Sequence, residues 1–87
     1  MHMEDVLAIL EKMPMEECRS AAILAADVYK AVVPYLEKGI HNDGEELDFC
    51  GEIDGILDEG GIVNNDARTK ALCEIYDACG FQHYWQA

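Results

Sequence analysis

Residues 15–39, with the sequence MEECRSAAILAADVYKAVVPYLEKG, form in our prediction a helix that is apolar around most of its circumference. Five polar side chains share one narrow sector of its helical wheel: Glu16, Ser20, Asp27, Lys30 and Lys38. A helix with so wide an apolar face is surrounded by other elements. The segment therefore predicts the central helix of an all-α fold. We expect Pro34 to kink this helix or end it early, and Gly39 to stop it.

Three further helices are predicted, over residues 4–13, over residues 43–59, and from an asparagine cap at Asn64 or Asn65 to about Cys79. The first has apolar residues at three- and four-residue spacing, and each of the other two has a capping residue before it and glycine after it. At the start of the third helix, Asp43 and Glu46 have the spacing of a capping box. Because no strand pattern is sustained, we predict a single small four-helix bundle-like domain over the whole chain. Its second helix is expected to be largely buried, and its C-terminal tail is aromatic.

The third helix separates apolar from acidic side chains. Its inward side is predicted to hold Leu47, Phe49, Cys50, Ile53, Ile56 and Leu57. Its outward side is predicted to hold Asp48, Glu52 and Glu59. From Gly39 to Ala67 the chain has nine acidic residues and no Lys or Arg. Such runs are usually solvated faces, but a face built for stability would normally place a base four residues from each acid.

Two glycines on or beside this outer face favour a second interpretation, which is a docking face for another protein. Gly51 and Gly55 lie inside the helix, where glycine costs about 0.8–1 kcal/mol against alanine. Four residues apart, they leave a shallow groove that another backbone can approach. On this basis we predict partner-binding residues at Asp48, Gly51, Glu52, Gly55, Asp58 and Glu59. Three further candidate anchors, described below, are Ile23, Tyr84 and Trp85.

The overall charge limits the class of partner. The chain has 18 acidic and 6 basic residues, a net charge of −12. This argues against direct binding of nucleic acid or of anionic membranes, both of which need basic surfaces. It favours a basic protein partner, such as a nucleic-acid-binding protein. Carboxylates spaced along a helix can stand in for phosphates, so one form of this function is a DNA-mimic inhibitor of the phage anti-CRISPR or anti-restriction kind.

Apolar and aromatic residues suggest an alternative function as a self-associating structural or adaptor protein that acts as a homodimer. Ile23 lies within the polar sector of the second helix, where it is either a scattered surface residue or an anchor. In the tail FQHYWQA, Phe81 and Trp85 either fold back onto the bundle or are exposed. Tyr84 and Trp85 belong to residue types that often dominate binding interfaces.

Metal sites and cofactors find little support in the sequence. No register of the acidic run places oxygen ligands and glycine as an EF-hand requires. Cys79 and His83 have a C-x3-H spacing, but no C-x-x-C pair accompanies them. The four cysteines are expected to be mostly buried free thiols in a cytoplasmic protein. We therefore predict no metal site and no cofactor.

Catalytic motifs are also lacking, so we predict that the protein is not an enzyme. Ser20 is the only serine and Thr69 the only threonine, and no phosphate-binding loop or nucleophile elbow is present. The acidic four-helix outline is similar to that of acyl carrier proteins, which carry a serine at a helix start after Asp. Ser20, in ECRSAA, is predicted inside the second helix and lacks that context. The sequence therefore assigns no family.

Membrane insertion and secretion are not expected. The longest apolar run, Ala21 to Ala26, is far below the roughly 20 residues that cross a bilayer. The N-terminus is acidic and lacks the pattern of a signal peptide. The opening Met1-His2-Met3 is typical of residues added in cloning before a native methionine, so we expect His2 to have no function.

Overall fold

The four predicted helices are all present in the computed structural model, which describes residues 1–13 and 20–84 of the chain. They are α1 (Met3–Glu11), α2 (Ala21–Lys38), α3 (Asp43–Glu59) and α4 (Asn65–Ala78). Each helix packs against its neighbours in the chain, and α1 also packs against α4. The described residues contain no strand. The prediction of a small all-α bundle is thereby confirmed.

The second helix begins later than predicted and continues further than its proline suggested. Ser20 is the N-cap of α2 and its Oγ accepts a hydrogen bond from the Ile23 N–H at 3.2 Å, so its predicted position inside the helix was wrong. The helix continues through Pro34 to Lys38. Pro34 is exposed, so water can reach the carbonyl that lacks its usual donor. Gly39, at φ +79°, ends the helix as predicted.

One face of α2 is buried against α1 and α3. Its buried residues are Leu24, Ala25, Val28, Val32 and Tyr35. Ala22, Ile23 and Ala26 are apolar but exposed. The neighbouring helices therefore cover a smaller part of the circumference of α2 than the wide distribution of its apolar residues predicts.

The core contains residues from all four helices and from the loops beside α3. Its largest fully buried side chains include Leu10, Leu24, Phe49, Ile53, Leu57, Ile62, Ile75 and Tyr76. Phe49 lies at the centre of an aromatic cluster, with the rings of Tyr35, Tyr76 and Phe81 at 5.1, 5.5 and 5.7 Å. These edge-to-face contacts stabilise the core beyond the area that they bury.

The third helix begins at Asp43 as predicted, but with a different cap. Asn42 is the N-cap, and its Oδ1 accepts a hydrogen bond from the Glu45 N–H at 2.9 Å. The predicted capping box of Asp43 and Glu46 was therefore wrong. Glu46 instead points into the protein and is only 7% exposed.

The apolar side of α3 is largely as predicted. Phe49, Ile53 and Leu57 are buried, and Cys50 and Ile56 are half-buried. Leu47 is the exception, because it is 56% exposed. Its neighbour Glu46 occupies the inward position at this level of the helix, which turns Leu47 towards solvent.

The fourth helix follows an asparagine cap and ends before a glycine. The Oδ1 atom of Asn64 accepts a hydrogen bond from the Ala67 N–H at 2.9 Å. Gly80, at φ +78°, reverses the chain after α4. Phe81 then folds back against Phe49 and Tyr76, which confirms one predicted fate for this residue. Trp85 lies outside the described residues.

The first helix, α1, is capped at its N-terminus and buries one side. The His2 N–H donates a 2.8 Å hydrogen bond to Oδ2 of Asp5, so His2 takes part in capping α1. Val6, Ile9, Leu10 and Met13 are buried as predicted. Among the described helices, none combines the length and the apolar character that a bilayer crossing requires.

Candidate protein-docking face

Three carboxylates of α3 are exposed to solvent. Asp48, Glu52 and Glu59 are all exposed, as predicted. Within residues 1–13 and 20–84, no lysine or arginine forms a salt bridge with any of them. They share the outer side of α3 with the exposed Gly51 and Gly55. We call these five residues the acidic face.

The remaining predicted acid of this region, Asp58, has a partner within the chain. Arg68, from the first turn of α4, lies 3.0 Å from Asp54 through Nε and 3.2 Å from Asp58 through Nη1. The same Nη1 donates a 3.0 Å hydrogen bond to the carbonyl of Ile62. Asp58 therefore already has a partner within the chain, although the single positive charge of Arg68 is shared between Asp54 and Asp58. Contact of Asp58 with an outside partner stays a prediction.

Lys38, at the end of α2, contacts an aromatic ring. The Nζ atom of Lys38 lies 4.6 Å from the ring centroid of Tyr35, the geometry of a cation–π contact. Burial raises the pKa of Tyr35, and the negative charges of Glu52 and Asp48 raise it further. These two carboxylates therefore generate a negative potential at the junction of α2 and α3, and no described residue is in ion-pair contact with them.

The two glycines of the acidic face are not required by packing within the chain. A Cβ atom added at Gly51 or Gly55 would meet no atom within 4 Å. Neither residue has a positive φ, so alanine could adopt the same backbone conformation. Two helix-weakening residues therefore lie side by side on an open surface, and the described structure supplies no internal reason for them.

A cleft between α3, α4 and residues 81–84 borders this face and was not predicted. It encloses about 390 Å³. Its wall is formed mainly by apolar and weakly polar side chains, which are Leu47, Cys50, Leu72, Cys73 and Tyr76. Glu46 and His83 supply the charged groups. Leu47 connects the two regions, because it lines the cleft and directly precedes Asp48.

The charged groups of the cleft are paired with one another. Oε1 of Glu46 accepts a hydrogen bond from the Tyr84 N–H at 2.6 Å, and Oε2 lies 3.7 Å from Nδ1 of His83. Nε2 of His83 lies 2.7 Å from Oδ1 of Asp77. The hydrogen bond to Asp77 is the main reason that the pKa of His83 is raised, and the charges of Asp77 and Glu46 add to it. A protonated His83 therefore partly neutralises both carboxylates.

The thiols of Cys50 and Cys79 remain protonated near neutral pH. Burial, followed by the charge of Glu46, raises the pKa of Cys50 to about 11, and burial raises that of Cys79 to about 11. Cys50, Cys73 and Cys79 are free thiols. A neutral thiol is a poor nucleophile and a poor metal ligand, which makes Cys50 and Cys79 weak candidates for either role.

Cys79 and His83, which have the C-x3-H spacing, contact other residues. Sγ of Cys79 lies 3.4 Å from Sδ of Met1, while His83 contacts Asp77. In the part of the chain that the structure describes, no group of three or more potential ligands is arranged to hold a metal ion.

The remaining predicted site residues lie apart from the acidic face. Ile23 is 56% exposed in the first turn of α2. Tyr84 is half-buried, and its backbone is held by Glu46. Trp85 is outside the described residues. The structure thus groups five of the nine predicted residues, pairs Asp58 with Arg68, and leaves Ile23 as a separate apolar position.

Glu46 is the site residue that sequence reasoning missed. Its spacing from Phe49, Cys50 and Ile53 is three, four and seven residues, which places it on the apolar side of the helix. The interpretation of acidic residues as surface residues hid this signal.

Comparisons of the chain with protein-family models, curated proteins and solved structures found no match.

Proposed function

We propose that this protein is a non-catalytic binding module that presents the acidic face of α3 to a basic protein partner. One observation carries the proposal: Asp48, Glu52 and Glu59 are exposed, have no lysine or arginine partner among residues 1–13 and 20–84, and lie beside two glycines that packing in those ranges does not require. Lysine and arginine residues of a partner would neutralise the carboxylates. The glycines would allow its backbone to approach the helix closely.

The charge pattern also indicates how such a module would act. A net charge of −12 attracts a basic surface over a distance and mainly raises the association rate. Carboxylates along one side of α3 can occupy the positions of phosphates on a nucleic-acid-binding surface. We therefore propose a nucleic-acid-binding protein as the partner class, with inhibition by charge mimicry, of the anti-CRISPR or anti-restriction kind, as the mode of action.

The test is a charge reversal with a matched control. The double variant Asp48→Lys/Glu52→Lys changes the charge of the acidic face by four units. The control Glu4→Lys/Glu11→Lys makes the same change on α1, which does not pack against α3 in the described structure. Proteins captured from the native organism by the wild-type chain serve as ligands for rate measurements, and circular dichroism checks the helical content of each variant.

We expect the Asp48/Glu52 variant to lower the association rate roughly tenfold more than the control, because short-range complementarity adds to the effect of net charge. Equal rates for the two variants would show that only total charge matters. Unchanged capture by a folded Asp48/Glu52 variant would mean that the acidic face is an ordinary solvated surface.

The exposure of Ile23 and Leu47 favours a second candidate function, self-association as a homodimer. Exposed apolar side chains stabilise a dimer by burial, which depends little on salt. Light scattering at low and high salt therefore separates the two functions. A dimer that persists at both salt concentrations supports the second candidate, and a monomer at both contradicts it.

A further inference from the structure

The cleft opens at the edge of the acidic face, and the two surfaces share one helix. Leu47 lines the cleft and is 56% exposed. Asp48 is the next residue, and Gly51 follows one turn later on the same side. A ligand that contacts the carboxylates of the acidic face can therefore reach the cleft without crossing another element.

The wall of the cleft is suited to an apolar group. Leu47, Leu72 and Tyr76 supply carbon surface, and the raised pKa of Cys50 keeps its thiol neutral near pH 7. The volume of about 390 Å³ is in the range of small ligand sites, which are mostly apolar with few polar groups.

Charge in and around the cleft determines what can accompany that apolar group. Glu46 and Asp77 both face His83, at 3.7 and 2.7 Å, so a protonated His83 partly balances their charges. Glu74, also on α4, lies 3.5 Å from Lys12 of α1. In the described ranges, no lysine or arginine forms a salt bridge with the carboxylates of the acidic face. An anionic ligand would be repelled, whereas cationic groups at the edge of the cleft would be attracted.

We propose that the cleft receives one apolar side chain of the basic partner, while lysine or arginine residues on either side of it contact Asp48 and Glu52. The inference rests on the proposed function, because it names the apolar anchor of the same partner. Charge would bring the partner to α3, and the apolar side chain would determine which basic sequences stay bound. This division is common at interfaces, where a few buried anchors carry most of the affinity.

Three synthetic heptapeptides test the proposal by titration into the isotopically labelled full chain, followed by NMR. The first has four lysines and a central phenylalanine, the second replaces that phenylalanine with serine, and the third replaces the lysines with glutamine. We expect the first to bind about tenfold more tightly than the second, as expected for burial of one apolar side chain. The first peptide should also bind more tightly than the third. Its binding should change the NMR chemical shifts of Leu47, Cys50 and Cys73.

Two variants show whether the preference comes from the cleft. Cys73→Trp places a large side chain on an exposed position of the cleft wall, and Ala78→Trp places it on an exposed position of α4 that does not line the cleft. The first should abolish the preference for phenylalanine over serine and retain the preference for lysine. The second should change neither. Leu47→Ser, at an exposed position, provides an independent variant of the wall if Cys73→Trp does not fold.

The outcomes separate this inference from the proposed function. Equal affinity of the phenylalanine and serine peptides overturns the inference and leaves the acidic face as the docking surface. Loss of the lysine preference, with the phenylalanine preference intact, contradicts the proposed function and with it the basic partner named here. A wild-type dimer that Leu47→Ser converts to a monomer would place a second copy in the cleft and would also overturn the inference.

Discussion

The backbone N–H of Tyr84 donates a 2.6 Å hydrogen bond to Oε1 of Glu46, across 38 positions of the chain. This bond joins the segment after α4 to the third helix. Tyr76 makes a second connection, because its hydroxyl donates a 2.5 Å hydrogen bond to the carbonyl of Gln82. His83, which lines the cleft, is therefore flanked by two residues whose backbones are held by side chains of the bundle.

Replacement of Glu46 by alanine should destabilise this segment. The Tyr84 N–H would lose its acceptor, and His83 would lose one of its two carboxylate neighbours. Leaving a partly buried donor unpaired costs about 1–3 kcal/mol. We expect a loss of that size in the free energy of unfolding measured with urea, together with faster hydrogen exchange at the Tyr84 amide.

Glu46→Gln is the matched control for this change, because glutamine keeps an acceptor oxygen at the same distance and loses only the charge. It should retain most of the protection of the Tyr84 amide. Equal exchange rates in wild type and Glu46→Ala would show that the hydrogen bond does not hold the segment.

The stability that His83 contributes should depend on pH. Its pKa is raised in the folded protein, chiefly by the hydrogen bond to Asp77. Because the folded pKa lies above the unfolded value, this stabilisation is fully present below the unfolded pKa and disappears as the pH rises through the folded pKa. The difference in free energy of unfolding between wild type and His83→Gln should therefore be larger at about pH 5.5 than at about pH 8.5.

NMR titration of the His83 ring tests the cause of that shift directly. The pKa of His83 should lie above 6.5 in the wild type and fall in Asp77→Asn, which retains the side-chain shape and removes the charge. A ring that titrates identically in both proteins would contradict the assigned role of Asp77.

The boundaries of the helices were largely predictable because caps and stop signals are local. Examples are Asn64 before α4, Gly39 after α2 and Gly80 after α4. Each acts through backbone groups three or four residues away. Ser20 was missed because the apolar run on both sides of it suggested an uninterrupted helix, although serine favours the N-cap position.

The cleft was not predictable in the same way because its groups lie far apart in sequence. The inward position of Glu46 depends on Tyr84 and His83, and the pairing of Asp58 depends on Arg68. Helical periodicity places a residue on a face but does not identify the element opposite that face. Leu47 is the opposite case. Its apolar residue type predicts a core position, but it lies at the border of the apolar side of α3 and is 56% exposed.

Alanine at Gly51 or Gly55 should stabilise the protein. Neither position has a neighbour within 4 Å of an added Cβ, so the higher helix propensity of alanine contributes about 0.8–1 kcal/mol at each site. The expected result is a higher melting temperature for each single variant. If the acidic face is a docking surface, the same variants should bind the partner more weakly, because the added methyl groups hinder close approach.

Gly60→Ala serves as the contrasting variant. Its added Cβ would lie 2.3 Å from Cδ1 of the fully buried Leu24, and such overpacking costs about 1–3 kcal/mol. Its melting temperature should fall. A higher melting temperature for Gly60→Ala, or a lower one for Gly51→Ala, would contradict the described surroundings of these two glycines.

Replacement of Arg68 by methionine should both destabilise the fold and enlarge the acidic surface. The Arg68 side chain is only 12% exposed, and it bridges Asp54, Asp58 and the Ile62 carbonyl. Loss of these charge-assisted hydrogen bonds should lower the free energy of unfolding by about 1–3 kcal/mol. Because two carboxylates are then released, association with a basic partner should become faster at low salt.

The triple variant Arg68→Met/Asp54→Asn/Asp58→Asn separates these two effects. It removes the cation and both anions, which raises the net charge of the chain from −12 to −11, whereas Arg68→Met alone lowers it to −13. The association rate of the triple variant should return to near the wild-type value, while stability remains reduced because the Ile62 carbonyl still lacks its donor. If Arg68→Met binds no faster than wild type at low salt, then Asp54 and Asp58 lie outside the electrostatic reach of the partner, and docking is confined to the outer side of α3.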